Sequence, residues 1–234
     1  DVYKRQEIKE EIPEIDICIG TTAIDSIADA LNNFFKEKAQ VFCLTNIDIH
    51  AGENAPRNLS TSGSYAYLKI AEGCDKHCTY CIIPKIRGNY RSVKMEDVLK
   101  EAKELAERGV KELILVAQET TMYGVDLYGK KSLHVLLKEL AKIPGVYWIR
   151  VLYCYPEEIY DELIDVMASE SKICHYLDIP IQHASDNVLK RMGRRTDNKQ
   201  LRDIITKLRS KIPDIVLRTT LITGFPGETR EDHQ

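Results

Sequence analysis

Three cysteines, Cys74, Cys78 and Cys81, lie within eight residues in the stretch "GCDKHCTYCIIP". As thiolates they are strong ligands for soft metals. Their spacing, C-x3-C-x2-C, has no neighbouring fourth thiol, and the chain has no second pair to complete a four-cysteine zinc site. His77 is a poor fourth ligand beside Cys78. A four-iron cluster (4Fe-4S) on three thiolates leaves one iron open, and reactive metal sites keep such a position. Asp75, Lys76, His77 and Thr79 make the loop too polar for core. The alternative from another class is a zinc-stabilised binding module without catalysis.

The loop must be carried by regular elements. An apolar strand, "YAYLKIAEG", precedes it. Helix "MEDVLKEAKELAERG", strand "KELILVAQE", helix "SLHVLLKELAKI", strand "YWIRVLY" and helix "PEEIYDELIDVMAS" follow. Strand "HYLDIPIQ", helices over about 185–211 and strand "IVLRTTLITG" complete the series. Five strands alternating with helices are the signature of parallel βα units. Upstream, helix, strand, helix and strand run to about Cys43, with Ile24, Ile27, Ala28, Leu31 and Phe35 on one helical face. A polar, Gly- and Pro-containing linker spans 46–64. At the end, Thr229 and the acidic residues after it open a further helix.

The 234 residues carry 44% hydrophobic and 29% charged residues and a net charge of -3, so a core can form and no global attraction to nucleic acid exists. No apolar run is long enough to span a bilayer, and the start lacks the apolar region of a signal peptide. Seven cysteines, three of them clustered, fit a reducing cytoplasm rather than a disulfide framework. Cys18, Cys43, Cys154 and Cys174 read as structural.

"CDKHCTYC" resembles the cluster motif of the radical S-adenosylmethionine (radical SAM) enzymes, with Tyr80 as the aromatic residue before the last cysteine. "YLKIAEGCDKHCTYCIIPKIRGNYRS", "LILVAQETTMYGVDLYG", "RVLYCYPEEI", "YLDIPIQHASDNVLKRMGRRT" and "LRTTLITGFPGET" are similar to the methylthiotransferase branch of that family, roughly over 65–231. The resemblance implies a partial βα barrel, five of whose six strands are present, preceded by the tail of an α/β N-terminal domain. It implies that the open iron binds S-adenosyl-L-methionine and that an external electron donor is needed for its cleavage to a radical. It further implies methylthio transfer to the β-carbon of an aspartate in small-subunit ribosomal protein S-twelve. The transfer RNA branch usually has "QSGS" where this chain has "QHAS", and an asparagine-containing turn near "MGRRT". The ribosomal protein is therefore the expected partner and transfer RNA the alternative.

By the same resemblance, residues 1–45 are the remnant of the N-terminal domain and 65–234 a core truncated before its last strand. The intact protein would add a C-terminal TRAM domain and a second 4Fe-4S cluster, whose ligands Cys18 and Cys43 do not match. This chain alone is expected to hold about one cluster and to be inactive as a methylthiotransferase.

Cofactor contacts are expected at strand ends. Gln118 and Glu119 in "AQET" are candidates for the cofactor's amino group. Gln182, His183 and Ser185 fall where the active sites of parallel barrels collect, although Ser185 also suits a helix cap. Gly224 and Gly227 permit close backbone approach or a tight turn. Arg194, Arg195 and Arg218 suit a carboxylate, and Lys85, Arg87 and Arg91 add charge beside the loop.

Overall fold

The structure, a computed structural model, describes residues 2–49, 58, 59 and 63–234. Most of the expected linker lies outside them. The chain begins with α1 (Val2–Glu11), β1 (Ile17–Ile19), α2 (Ile27–Glu37) and β2 (Val41–Cys43), in the order read from sequence. β1 and β2 pair in parallel, with Cys18 opposite Phe42. The expected apolar stripe is largely uncovered: Ile24, in a 3-10 turn before α2, and Ile27, Leu31 and Phe35 of α2 are exposed, and Ala30 is buried. A helical period marks a face that can be buried without supplying what covers it.

β3 (Tyr65–Lys69) starts the main sheet and runs into a short hairpin of β4 (Ala71–Glu72) and β5 (Arg91–Ser92), which brackets α3 (Ile83–Arg87). Next come α4 (Met95–Glu107), β6 (Glu112–Val116), α5 (Val125–Tyr128), α6 (Leu133–Ala141) and β7 (Trp148–Val151). Then follow α7 (Asp161–Ser169), β8 (Ile173–Asp178), α8 (Asp186–Arg191), α9 (Asn198–Lys211), β9 (Val216–Arg218) and α10 (Arg230–His233). The five-stranded parallel sheet has the order β3-β6-β7-β8-β9, so its strands lie in chain order as an open, partial βα barrel.

Strand alternation separates the two faces. Ala66, Leu68, Leu113, Leu115, Ile149, Val151 and Leu177 are buried on the outer face. They meet a helical layer that includes Ala102 and Leu105 of α4, Leu136 and Leu140 of α6 and Leu163 and Met167 of α7. Each fully buried leucine contributes about 1.5–3 kcal/mol. The inner face carries Tyr67, Ile114, Arg150 and Tyr176, with the Arg150 guanidinium 5.0 Å from the Tyr176 ring.

Several elements depart from the sequence reading. The helix expected from Pro156 is a 3-10 turn (Pro156–Glu158) followed by α7, because Tyr160 is extended at the junction. β8 and β9 are shorter than expected, and beyond them Gln182 and Leu221 form an isolated bridge. The hairpin, α3 and α5 were not anticipated. They are two to five residues long, too short for a periodic pattern. The Thr229 cap is present as a capping box with Asp232.

Candidate active site

The β4–β5 hairpin closes the neck of the cysteine loop. Gly73 has a φ of +81°, and a Cβ there would lie 2.1 Å from the Asn89 carbonyl oxygen. Only glycine allows this approach. The Gly73 N–H donates to Gln118 Oε1 at 2.6 Å, and the Cys74 N–H to the Gly88 carbonyl at 3.2 Å. At the far side, the Thr79 N–H donates to the Met192 carbonyl and its hydroxyl to the Arg191 carbonyl, both at 3.0 Å. The loop is thus pinned to the end of β6 and to the C-terminal end of α8. Lys76 is ion-paired with Glu158.

A cavity of about 290 Å³ lies at the C-terminal ends of the strands, where parallel sheets collect ligands. Cys74, Cys78 and Cys81 all line it, with Tyr80 beside them. All three thiols are free: Cys78 is buried, Cys74 half-buried and Cys81 exposed. Burial pushes the Cys74 thiol up to about 11. Among the described residues, no three His, Cys, Asp or Glu side chains are grouped around a single-ion site.

Gln118, Gln182 and Arg218 also line the cavity, as do Asp178, Thr220 and Arg194. Asp178 lies 3.6 Å from the Arg218 guanidinium through Oδ2, while its buried Oδ1 has no partner. Arg194 donates to Glu157 at 3.3 Å and to the Pro180 carbonyl at 3.2 Å, leaving its buried Nε without a partner. The arrangement joins three soft ligands, a carboxylate and two guanidiniums around one space. The residues present fit a cluster on three thiolates together with a small ligand bearing both an ammonium and a carboxylate.

Other candidate residues lie elsewhere. Glu119 follows Gln118 and therefore points to the opposite face. It is 1% exposed, and its Oε1 accepts from Thr121 N–H at 3.0 Å, from the Thr121 hydroxyl and from Tyr155 N–H at 3.4 Å. Burial raises its carboxyl to about 7, against the pull of the Thr121 hydrogen bonds and Lys76. Ser185 occupies the cap position of α8 but makes no cap bond; its hydroxyl donates to Asp232 at 2.5 Å. His183 Nδ1 accepts from the Ser185 N–H at 2.9 Å, and Nε2 faces Glu228 at 3.6 Å, so its ring ties two loops together. Arg195 lines a separate cavity of about 410 Å³ with Asp203 and Lys207. Gly224 has a φ of +72° with open space at its Cβ position, and a Cβ on Gly227 would meet the Arg191 guanidinium.

Sequence reading missed Asp178, Pro180 and Thr220, although the signal was present. Counting back in twos from Gln182 gives Pro180 and Asp178, and counting on from Arg218 gives Thr220. It also missed Tyr153 and Tyr155. Tyr153 has a φ of +58°, a left-handed kink that reverses the alternation beyond β7 and turns both tyrosines to the cavity. Gln182 has a φ of +71°. Each such residue costs about 1–2 kcal/mol, and strain of this kind concentrates at functional sites.

The sequence profile of the Radical SAM superfamily matches residues 68–234. The chain is 62% identical over 231 residues to the ribosomal protein uS12 methylthiotransferase RimO of Lachnoclostridium phytofermentans, covering 98% of this chain and 52% of that protein. It is 55% identical over 228 residues to the RimO of Clostridium botulinum, covering 97% and 51%. The chain spans about half the length of the curated relatives it matches. Among solved structures, the cobalamin-dependent S-adenosylmethionine radical enzyme OxsB superposes with a TM-score of 0.65 at 16% identity, over 93% of this chain and 34% of that one. The radical S-adenosylmethionine methyltransferase TsrM of Kitasatospora setae gives 0.58 at 19% identity, over 73% and 32%. These two likenesses concern the fold.

Proposed function

This chain belongs to the radical SAM superfamily, and on that premise we propose that Cys74, Cys78 and Cys81 hold a 4Fe-4S cluster with one open iron beside S-adenosyl-L-methionine. The observation that carries the reading is the meeting of all three loop thiols with Gln118, Gln182, Arg194 and Arg218 around one cavity. When bound and reduced, the cluster supplies the electron for cleaving S-adenosylmethionine. Arg194 and Arg218 offer guanidinium donors for its carboxylate, and Asp178 Oδ1 an acceptor for its ammonium. Gln118 holds the neck of the loop through Gly73. Tyr80, 6.3 Å edge-on from Phe225, adds an apolar wall.

The whole protein, in this reading, transfers a methylthio group to an aspartate of ribosomal protein uS12; the similarity to RimO supports this. It would add a second cluster on an N-terminal domain and a C-terminal TRAM domain. The remaining cysteines here do not suit a second cluster. Cys154 is fully buried against Thr120, while Cys18 and Cys43 lie on the β1–β2 pair and Cys174 on β8.

Anaerobic reconstitution of this chain tests the ligand assignment. About four irons and four sulfides per chain are expected with a brown colour, and Cys78→Ala should lose the colour together with S-adenosylmethionine cleavage. A colourless protein holding one zinc, or iron and sulfide near twice the expected count, would overturn it. The whole protein should modify uS12; modification of transfer RNA alone would overturn the substrate assignment. No helix among the described residues is long and apolar enough to cross a membrane.

A further inference from the structure

Cys78 is the buried thiol of the loop, and its sulfur lies 2.6 Å from the hydroxyl oxygen of Tyr155. Tyr155 comes from the segment after β7, so this contact joins two parts of the chain 77 positions apart. The ring is held from several sides. The Arg194 guanidinium stands 3.7 Å from its centroid and the Lys76 ammonium 5.0 Å. Glu157 and the Pro180 carbonyl fix Arg194, and Glu119 accepts from the Tyr155 backbone N–H.

We propose that Tyr155 is a positioning residue that donates its phenolic hydrogen to the Cys78 sulfur and thereby raises the reduction potential of the cluster held there. The inference rests on the assignment of Cys74, Cys78 and Cys81 as ligands. A ligating thiolate has no proton, so the hydrogen comes from the phenol. An ordinary phenol, with a pKa of about 10, keeps that proton at neutral pH. Two cations at the ring draw on its electron density and make the hydroxyl a better donor. Reduction adds negative charge around the ligand sulfurs. A hydrogen bond to one of them is therefore stronger in the reduced state and favours it. Tyr155 becomes visible as a partner only through the kink at Tyr153, which turns it away from the alternation of β7.

The test uses the whole protein, reconstituted anaerobically with iron and sulfide. It reads the midpoint potential in a titration followed by electron paramagnetic resonance, alongside iron and sulfide content. Tyr155→Phe is expected to retain its iron and shift the reduction equilibrium about tenfold toward the oxidised form, about 59 mV for one electron. A fluorinated tyrosine placed at position 155 alone is a stronger donor of nearly the same shape and should shift it the opposite way. Iron retained with an unmoved potential in both proteins overturns the proposal. Should the phenylalanine variant lose its iron, the sign of the fluorotyrosine shift decides: upward supports the donated hydrogen bond, and none or downward overturns it. Whole protein whose iron and sulfide content is unchanged by Cys78→Ala overturns the ligand assignment beneath it, an outcome distinct from a loaded but unshifted protein.

Discussion

Gln118 and Glu119 are neighbours with opposite environments. Gln118 faces the cavity, while Glu119 is buried under it with Oε2 unpartnered. That burial makes Glu119 a proton-linked element of the metal-free chain. Its carboxyl titrates near 4.5 in the unfolded chain and near 7 in the folded one, so the folded state keeps the proton longer. The contribution to stability is full below about 4.5, is lost as pH rises to about 7, and changes no further above that. The loss is on the order of 3 kcal/mol. Urea unfolding between pH 4.5 and 7 should show this slope in the wild type and lack it in Glu119→Gln. Equal slopes would show that another group carries the dependence.

Two glycines show how an element sets the cost of one substitution. Gly73 closes the cysteine loop, where a Cβ would strike backbone; Gly109 follows α4 with a φ of +94° and open space at its Cβ position. Gly109→Ala should therefore cost only the left-handed strain, about 1 kcal/mol. Gly73→Ala adds a clash that cannot relax without opening the β4–β5 neck. It should cost about 3 kcal/mol and reduce iron uptake on reconstitution. Thermal denaturation with iron analysis checks both, and equal losses would contradict the role given to the neck. The neck itself was hard to read from sequence, because β4 and β5 are two residues each and pair across the whole loop. Their signal is the position of Gly73 just before Cys74 rather than any periodicity.

At the scale of the whole molecule, the βα layers and the N-terminal segment differ in how their apolar surface is used. Leu136 on α6 is fully buried, whereas Ile27 on α2 is 52% exposed. Leu136→Ala should destabilise the chain by about 2–5 kcal/mol and Ile27→Ala by under about 1 kcal/mol. Equal losses in urea unfolding would mean that the α2 stripe is covered in solution. The segment meets the core through short-range polar contacts, among them Asn89 N–H to Asp48 Oδ1 at 2.8 Å and the Thr21 hydroxyl to the Ile86 carbonyl at 3.1 Å. Sequence by itself determined the order of the five main strands and the helices packed on them, because each βα unit carries its own periodicity and stop signals. It also determined the three-cysteine loop, because three thiols at fixed spacing are a local feature. Tertiary structure alone decided which strand-end residues share the cavity with that loop. Alternation carries Gln118, Asp178 and Gln182 inward, but one left-handed residue at Tyr153 reverses it, and a backbone angle set by the surrounding packing has no local signature in the sequence.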